Sequence, residues 1–199
     1  MFLLLPKWMR RSGSRQTRPI SLNMIFGGFE KFTLIDYPGK VACMVYTIGC
    51  NFRCPYCHNP ELVDETVETT IPQKQVLDFL DTRKKLLDGL VITGGEPTMH
   101  DDLIGFMQEV KNRGFLVKLD TNGTNPKMLQ EAIDKKIVDY IAMDIKSPLA
   151  HYTQTVARPV DVANIQKSIK IIMNSKVPYE FRTTVIKALL SPEDIKQIG

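Results

Sequence analysis

From residue 41 onward, short apolar runs rich in β-branched residues alternate with stretches whose apolar positions recur at helical spacing. Val41 to Ile48 predicts a first strand. Gln73 to about Leu87 predicts a helix, with Val76, Leu77, Leu80 and Leu87 on one side. Gly89 to Thr93 reads as a second strand. Asp101 to Arg113 then reads as a helix turning Leu103, Ile104, Phe106, Met107 and Val110 to the core, with Gly114 as its stop. Phe115 to Asp120 forms a third strand, Pro126 sits near the first turn of a helix running to about Lys136, and Asp139 to Asp144 forms a fourth strand. A helix near Val162 to Met173 and a fifth strand from Tyr179 to Ile186 follow. Ser191-Pro192-Glu193-Asp194 has the form of a helix start: a capping hydroxyl, Pro at the first position, acids in the first turn.

Strands that alternate with helices predict right-handed crossovers and a parallel sheet with helices on its outer face. Five such β-α units are too few for a closed eight-stranded barrel. They suit an α/β fold of the open, partial β/α barrel type, in which ligands gather at the carboxyl ends of the strands. Residues just after each strand are therefore the candidates for function.

Composition narrows the class without changing this picture. A chain of 199 residues that is 43% hydrophobic can bury one substantial core, and its 24% charged and 8% aromatic content suggests neither a disordered nor a fibrous protein. No run approaches the roughly 18 apolar residues of a membrane span. The net charge of +4 is unevenly placed. Residues 1–23 hold five of the 26 basic residues and no acid, so the remainder carries 21 against 22 acids and is near neutral. The body thus has no electrostatic footprint for nucleic acid. Charges that follow a very short apolar run reverse the order of a secretory signal, so we expect a cytoplasmic protein. Residues 1–23 are expected to be a disordered basic extension or to lie behind an upstream start codon, with one domain over 24–199.

Three of the four cysteines fall within eight residues, directly after the first strand: Gly49-Cys50-Asn51-Phe52-Arg53-Cys54-Pro55-Tyr56-Cys57-His58-Asn59. In a reducing compartment such clusters serve metals or catalysis more often than disulfides. Three thiolates can occupy three corners of a cubane iron-sulfur cluster, which ordinarily takes four, leaving one iron open. Cys43 sits within the first strand, about 23 Å from Cys50 at strand rise, and is expected in the core. A ferredoxin-type carrier would use a fourth cysteine and tighter spacing, and a structural zinc site would need a second Cys/His pair at a distance. Neither fits well.

The Cys50-x3-Cys54-x2-Cys57 spacing, with Tyr56 before the last cysteine, resembles the signature of the radical S-adenosylmethionine superfamily. The resemblance implies an oxidoreductase whose 4Fe-4S cluster is held by Cys50, Cys54 and Cys57. S-adenosylmethionine then binds the open iron, Tyr56 lies near its adenine, and its reductive cleavage yields a 5′-deoxyadenosyl radical. Gly94-Gly95-Glu96-Pro97 follows the second strand. A glycine pair is ordinarily just a turn, but here it is similar to the superfamily motif that binds the methionyl amino group. Asp120-Thr121-Asn122-Gly123 follows the third strand and reads alone as a helix-leading turn. Asp144 and Lys146 follow the fourth.

Together with Tyr56-Cys57-His58-Asn59, these motifs resemble the glycyl-radical-enzyme activases. That likeness places Asp120, Thr121, Asn122, Asp144 and Lys146 around S-adenosylmethionine and implies a monovalent cation among them. Thr33-Leu-Ile-Asp36-Tyr-Pro-Gly39 is similar to the branch that activates anaerobic ribonucleoside-triphosphate reductase. The implied partners are a glycyl radical enzyme, expected to be that reductase, and flavodoxin or ferredoxin as electron donor, with no nucleic acid or membrane. A pyruvate formate-lyase-type activase, a carboxy-deazaguanine synthase-like enzyme and a non-catalytic iron-sulfur or zinc protein are the alternatives. Arg182 on the fifth strand is a further candidate ligand. His58 is expected to shape the cluster loop and His100 to mark a helix start, neither with a catalytic role. Relatives of this type build six strands, so the domain is expected to be incomplete at its C-terminal end and less stable than a longer form.

Overall fold

The computed structural model describes residues 24–199; the expected N-terminal extension over 1–23 lies outside the described residues. In chain order the elements are β1 (Ile25–Thr33), β2 (Ala42–Thr47), α1 (Pro60–Val63), β3 (Ile71–Pro72), α2 (Gln73–Asp81), β4 (Gly89–Gly94), α3 (Leu103–Asn112), β5 (Leu116–Thr121), α4 (Pro126–Asp134), β6 (Tyr140–Asp144), α5 (Tyr152–Val156), α6 (Val162–Asn174), β7 (Tyr179–Arg182) and α7 (Pro192–Ile198). The strands form one open sheet in the order β3-β1-β2-β4-β5-β6-β7. From β2 to β7 every neighbouring pair is parallel, so the five expected units stand side by side in chain order.

The sheet extends further than the sequence pattern predicts. β1 pairs antiparallel with β2 on one side and with β3 on the other. Gly27 and Gly28 interrupt any alternation within β1, and its register with β2 slips twice. Contacts distant in sequence hold it instead. Phe26 is fully buried with its ring 5.0 Å from that of Phe106, and Phe29 meets Phe79 edge-on at 5.0 Å. α2 also ends earlier than the pattern to Leu87 suggests. The Thr82 hydroxyl donates to the Phe79 carbonyl at 2.7 Å and Lys85 turns to φ +75°, so Leu87 reaches the core from a turn. The fifth strand stops at Arg182 rather than Ile186.

Alternating side chains give the sheet two unlike faces. Cys43, Val45, Leu90, Ile92, Val117, Leu119, Ile141 and Met143 share the main core with Val76 and Leu80 of α2, Phe106 and Val110 of α3, Leu129 of α4 and Ile165 and Ile172 of α6. The opposite face holds a small apolar cluster of Tyr37, Ala42, Met44 and Val91, flanked by Tyr46, Leu116 and Tyr140. Lys118 lies on this second face, 1% exposed, with its ammonium 5.8 Å from the Tyr140 ring centroid. A buried charge there marks the sheet's inner surface as polar toward the strand ends, where the candidate residues gather.

Candidate active site

The loop after β2 carries Cys50, Cys54 and Cys57, all free and partly exposed. Its shape is set by bonds to the rest of the protein. The Gly49 amide donates to the Leu62 carbonyl at 2.7 Å and the Arg53 amide to the Val156 carbonyl at 2.8 Å. The Arg53 guanidinium donates back to the carbonyls of Cys50 and Phe52, at 2.5 and 2.8 Å, while Phe52 is buried against Tyr152. The strand-bound Cys43 is fully buried, as expected of a core residue, and burial pushes its thiol up to about 12. Burial also pushes Cys50 up to about 11 and raises Cys54, which Lys146 opposes. Metal binding here must therefore displace thiol protons.

The glycine pair serves the chain's own main chain first. The Gly95 amide donates to the Thr47 carbonyl and the Glu96 amide to the Gly49 carbonyl, both at 2.8 Å. A Cβ on Gly95 would stand 1.9 Å from the Gly49 carbonyl oxygen, and Gly94, at φ +111°, would place one 2.4 Å from the Thr47 nitrogen. Only residues without side chains let the β4 turn zip against the start of the cysteine loop. Sequence reasoning gave the glycines to the ligand; the structure gives them a backbone to fit as well.

Glu96 faces inward and is 1% exposed. Its Oε1 accepts from the Thr98 amide at 3.0 Å, the Thr98 hydroxyl and the Thr121 hydroxyl at 2.7 Å, and its Oε2 accepts from the Asn122 amide at 2.6 Å. Burial raises its pKa against the pull of these donors. The carboxylate therefore staples the turn after β5 to the turn after β4. Asn122 in turn donates to Asn51 at 2.8 Å, and Asn51 donates to Thr124 at 2.8 Å, joining the same turn to the cysteine loop.

On the far side lies a chain of alternating charges across three strands. Lys118 is 2.6 Å from Asp120, Asp120 3.1 Å from Arg182, Arg182 3.0 Å from Asp144 and Asp144 2.9 Å from Lys146. Burial works against the charge on Asp144, but Lys146 and Arg182 outweigh it and hold its carboxyl below the usual range. The Tyr152 hydroxyl accepts from the Lys146 amide at 3.2 Å, fixing the turn after β6.

One pocket opens at the carboxyl ends of the strands, between the cysteine loop and the turns after β4, β5 and β6. All twelve residues expected from the sequence line it: Cys50, Cys54, Tyr56, Cys57, Gly94, Gly95, Glu96, Asp120, Thr121, Asn122, Asp144 and Lys146. Arg182 and His58 join them, while His100 does not. Phe52, Thr93 and Thr184 also line it. Thr93 was findable as the last residue of a predicted strand. Thr184 falls inside the predicted fifth strand and only emerges after a strand end because β7 stops at Arg182. The role of Asn51 depends on Asn122 and Thr124, distant in sequence, which no local pattern marks.

The donor set fits an iron-sulfur cluster with a small-molecule ligand. Three thiols line the pocket, and the Tyr56 hydroxyl is buried beside them with no hydrogen-bond partner among the described residues. Among the described residues no three His, Cys, Asp or Glu side chains converge on a point for one metal ion. Ligands to separate irons of a cubane need not converge.

A thiol-walled pocket at the strand ends of an open β/α sheet is the arrangement of a cofactor-dependent enzyme. The model of the radical SAM superfamily matches residues 44–198, and the chain belongs to that superfamily. A protein of Methanocaldococcus jannaschii, provisionally named a glycyl-radical enzyme activating enzyme, is 36% identical over 188 residues, which cover 89% of this chain and 75% of that one. The pyruvate formate-lyase-activating enzyme of Streptococcus mutans is 34% identical over 130 residues, 59% of this chain and 48% of its own length. The chain thus matches about half of that relative. A solved structure of TYW1 with a lysine-pyruvate adduct bound superposes with a TM-score of 0.51 at 17% identity, over 79% of this chain and 60% of that one, a likeness of fold. Membership implies a 4Fe-4S cluster and S-adenosylmethionine. Among the described residues no helix is long and apolar enough to cross a membrane.

Proposed function

We propose that this protein is an activating enzyme that installs a glycyl radical on a partner enzyme. The observation that carries the reading is that twelve residues named from motifs spread over nearly a hundred positions line one pocket. The 36% identity to the archaeal relative favours an activase over other radical enzymes. In this reading a cluster held by Cys50, Cys54 and Cys57 would supply the electron, and S-adenosylmethionine the hydrogen-abstracting group, that radical formation at a glycine Cα requires.

The chain's own residues bind, orient and shield. Cys50, Cys54 and Cys57 would hold three irons. Tyr56 would lie against the adenine, and the strand-like edge at Gly94 and Gly95 would take the methionyl amino group. Asp120, Thr121, Asn122, Asp144 and Lys146 would surround the remainder. Lys118 and Arg182 pair with Asp120, Arg182 and Lys146 pair with Asp144, and the buried Phe52 and Tyr152 pack behind the cysteine loop. No protein acid or base is needed at the hydrogen transfer.

The partner is read as an anaerobic ribonucleoside-triphosphate reductase, on the Thr33 to Gly39 motif, with flavodoxin or ferredoxin as donor in the cytoplasm. The domain is read as residues 24–199, with residues 1–23 a separate extension. Co-incubation of the reduced, reconstituted protein with candidate glycyl radical enzymes tests the reading. A glycine-centred electron resonance signal on the reductase is expected, and Cys54→Ala should abolish both that signal and 5′-deoxyadenosine formation. A signal only on a different partner would reassign the substrate, and a protein that makes no 5′-deoxyadenosine would sink the reading.

A further inference from the structure

Asp120 and Asp144 end neighbouring parallel strands and both face the pocket, with side chains 11% and 30% exposed. Two carboxylates so placed repel unless a cation lies between them. The family resemblance puts a monovalent metal ion in that role, with Asp120 and Asp144 among its ligands. In this protein the place between them is already taken. Arg182, on the next strand, sets Nη1 3.1 Å from Asp120 Oδ2 and Nε 3.0 Å from Asp144 Oδ1. The two outer oxygens are also engaged: Asp120 Oδ1 accepts from Lys118 at 2.6 Å and Asp144 Oδ2 from Lys146 at 2.9 Å.

Each of the four carboxylate oxygens therefore already accepts a hydrogen bond from a cation. Alkali ions bind through oxygen lone pairs, and an ion drawn to those that remain would have to sit among three positive groups. Charge supports the same view. Lys118, Arg182 and Lys146 balance Asp120, Asp144 and Glu180, the last lying 3.8 Å from Lys118 and 4.0 Å from Arg182. A guanidinium is suited to this post, because its rigid fork presents N–H groups in two directions and stays charged at any working pH.

We propose that Arg182 is the built-in cation of this pocket, a positioning residue that neutralises and aligns Asp120 and Asp144 where an alkali ion would otherwise be required. The part of the inference that concerns ligand binding rests on the reading of the pocket as an S-adenosylmethionine site; the part that concerns ions does not.

Calorimetric titration of Na⁺ and K⁺ into the reconstituted protein held in choline chloride, with thermal midpoints in the three salts at equal ionic strength, tests it. Wild type should give no saturable heat and equal midpoints; stoichiometric ion binding would overturn the proposal. Arg182→Met, or Arg182→Gln should the first misfold, should gain saturable ion binding. The same variant should bind S-adenosylmethionine about tenfold or more weakly in choline chloride, a loss of the size expected for one charged hydrogen-bonding group, and recover in Na⁺ or K⁺. A folded variant that neither takes up an ion nor loses affinity would refute the assignment. Wild type that binds no S-adenosylmethionine in any salt, yet ignores alkali ions, would remove the proposed activity while leaving the internal cation in place.

Discussion

A methyl group at position 95 has nowhere to go, because the Gly49 carbonyl oxygen would lie 1.9 Å away and backbone cannot swing aside as a side chain can. Gly95→Ala should therefore push the start of the cysteine loop outward, costing about 1–3 kcal/mol of stability and lowering the iron retained on reconstitution. Iron content per chain, measured beside the urea midpoint, checks both halves. Glu96→Ala is expected to be costlier to the fold. It strands the buried amides of Thr98 and Asn122, each at about 1–3 kcal/mol, so a loss of at least ~2 kcal/mol should appear in the urea midpoint. At this scale the sequence was legible wherever a residue type is unusual in itself. Three crowded cysteines and a Gly-Gly-Glu turn announce themselves, and both line the pocket. Asn51, Lys118 and Tyr152 do not announce themselves, because an asparagine, a lysine or a tyrosine has meaning here only through the partner that the fold turns toward it.

Among the elements, α7 shows how much a local signal can specify. The Ser191 hydroxyl accepts from the Asp194 amide at 3.2 Å, and the Asp194 carboxylate accepts from the Ser191 amide at 2.9 Å, the reciprocal cap that the Ser-Pro-Glu-Asp run predicts. Ser191→Ala should weaken this helix by about 1 kcal/mol, seen as faster hydrogen exchange in α7 with β2 and β4 unchanged. The five parallel strands were readable for a similar reason, since each is an apolar run bounded by turns. β1 was not. Its glycines remove the alternation, and what keeps it extended is the packing of Phe26 and Phe29 on helices far along the chain. The end of α2 was misread for the opposite reason: Leu87 continues the helical spacing, but a threonine cap and a left-handed Lys85 had already turned the chain.

Across the whole molecule, the ion chain ties β5, β6 and β7 together, so its protonation state bears on how the sheet holds. The folded pKa of Asp144 lies below its unfolded value of about 3.9, so its contribution to stability is complete above that pH and is lost as pH falls through the folded value. The stability difference between wild type and Asp144→Asn should accordingly be constant near neutrality and shrink below about pH 4. A difference that grew in acid would mean that Lys146 and Arg182 do not stabilise the charged form. Fold class and pocket location were both readable from the order of elements, because parallel strands in sequence order leave few topologies open. The antiparallel flank and the cross-strand charge chain belong to contacts that only the assembled sheet brings about.

The cysteine loop is tied by main-chain hydrogen bonds to α1, α5 and the β4 turn, and its own carbonyls are gathered by the Arg53 side chain. Air should then bleach this protein without collapsing it. The colour would go while the mould stays, and iron and sulfide returned under argon should restore the brown form without a cycle of unfolding.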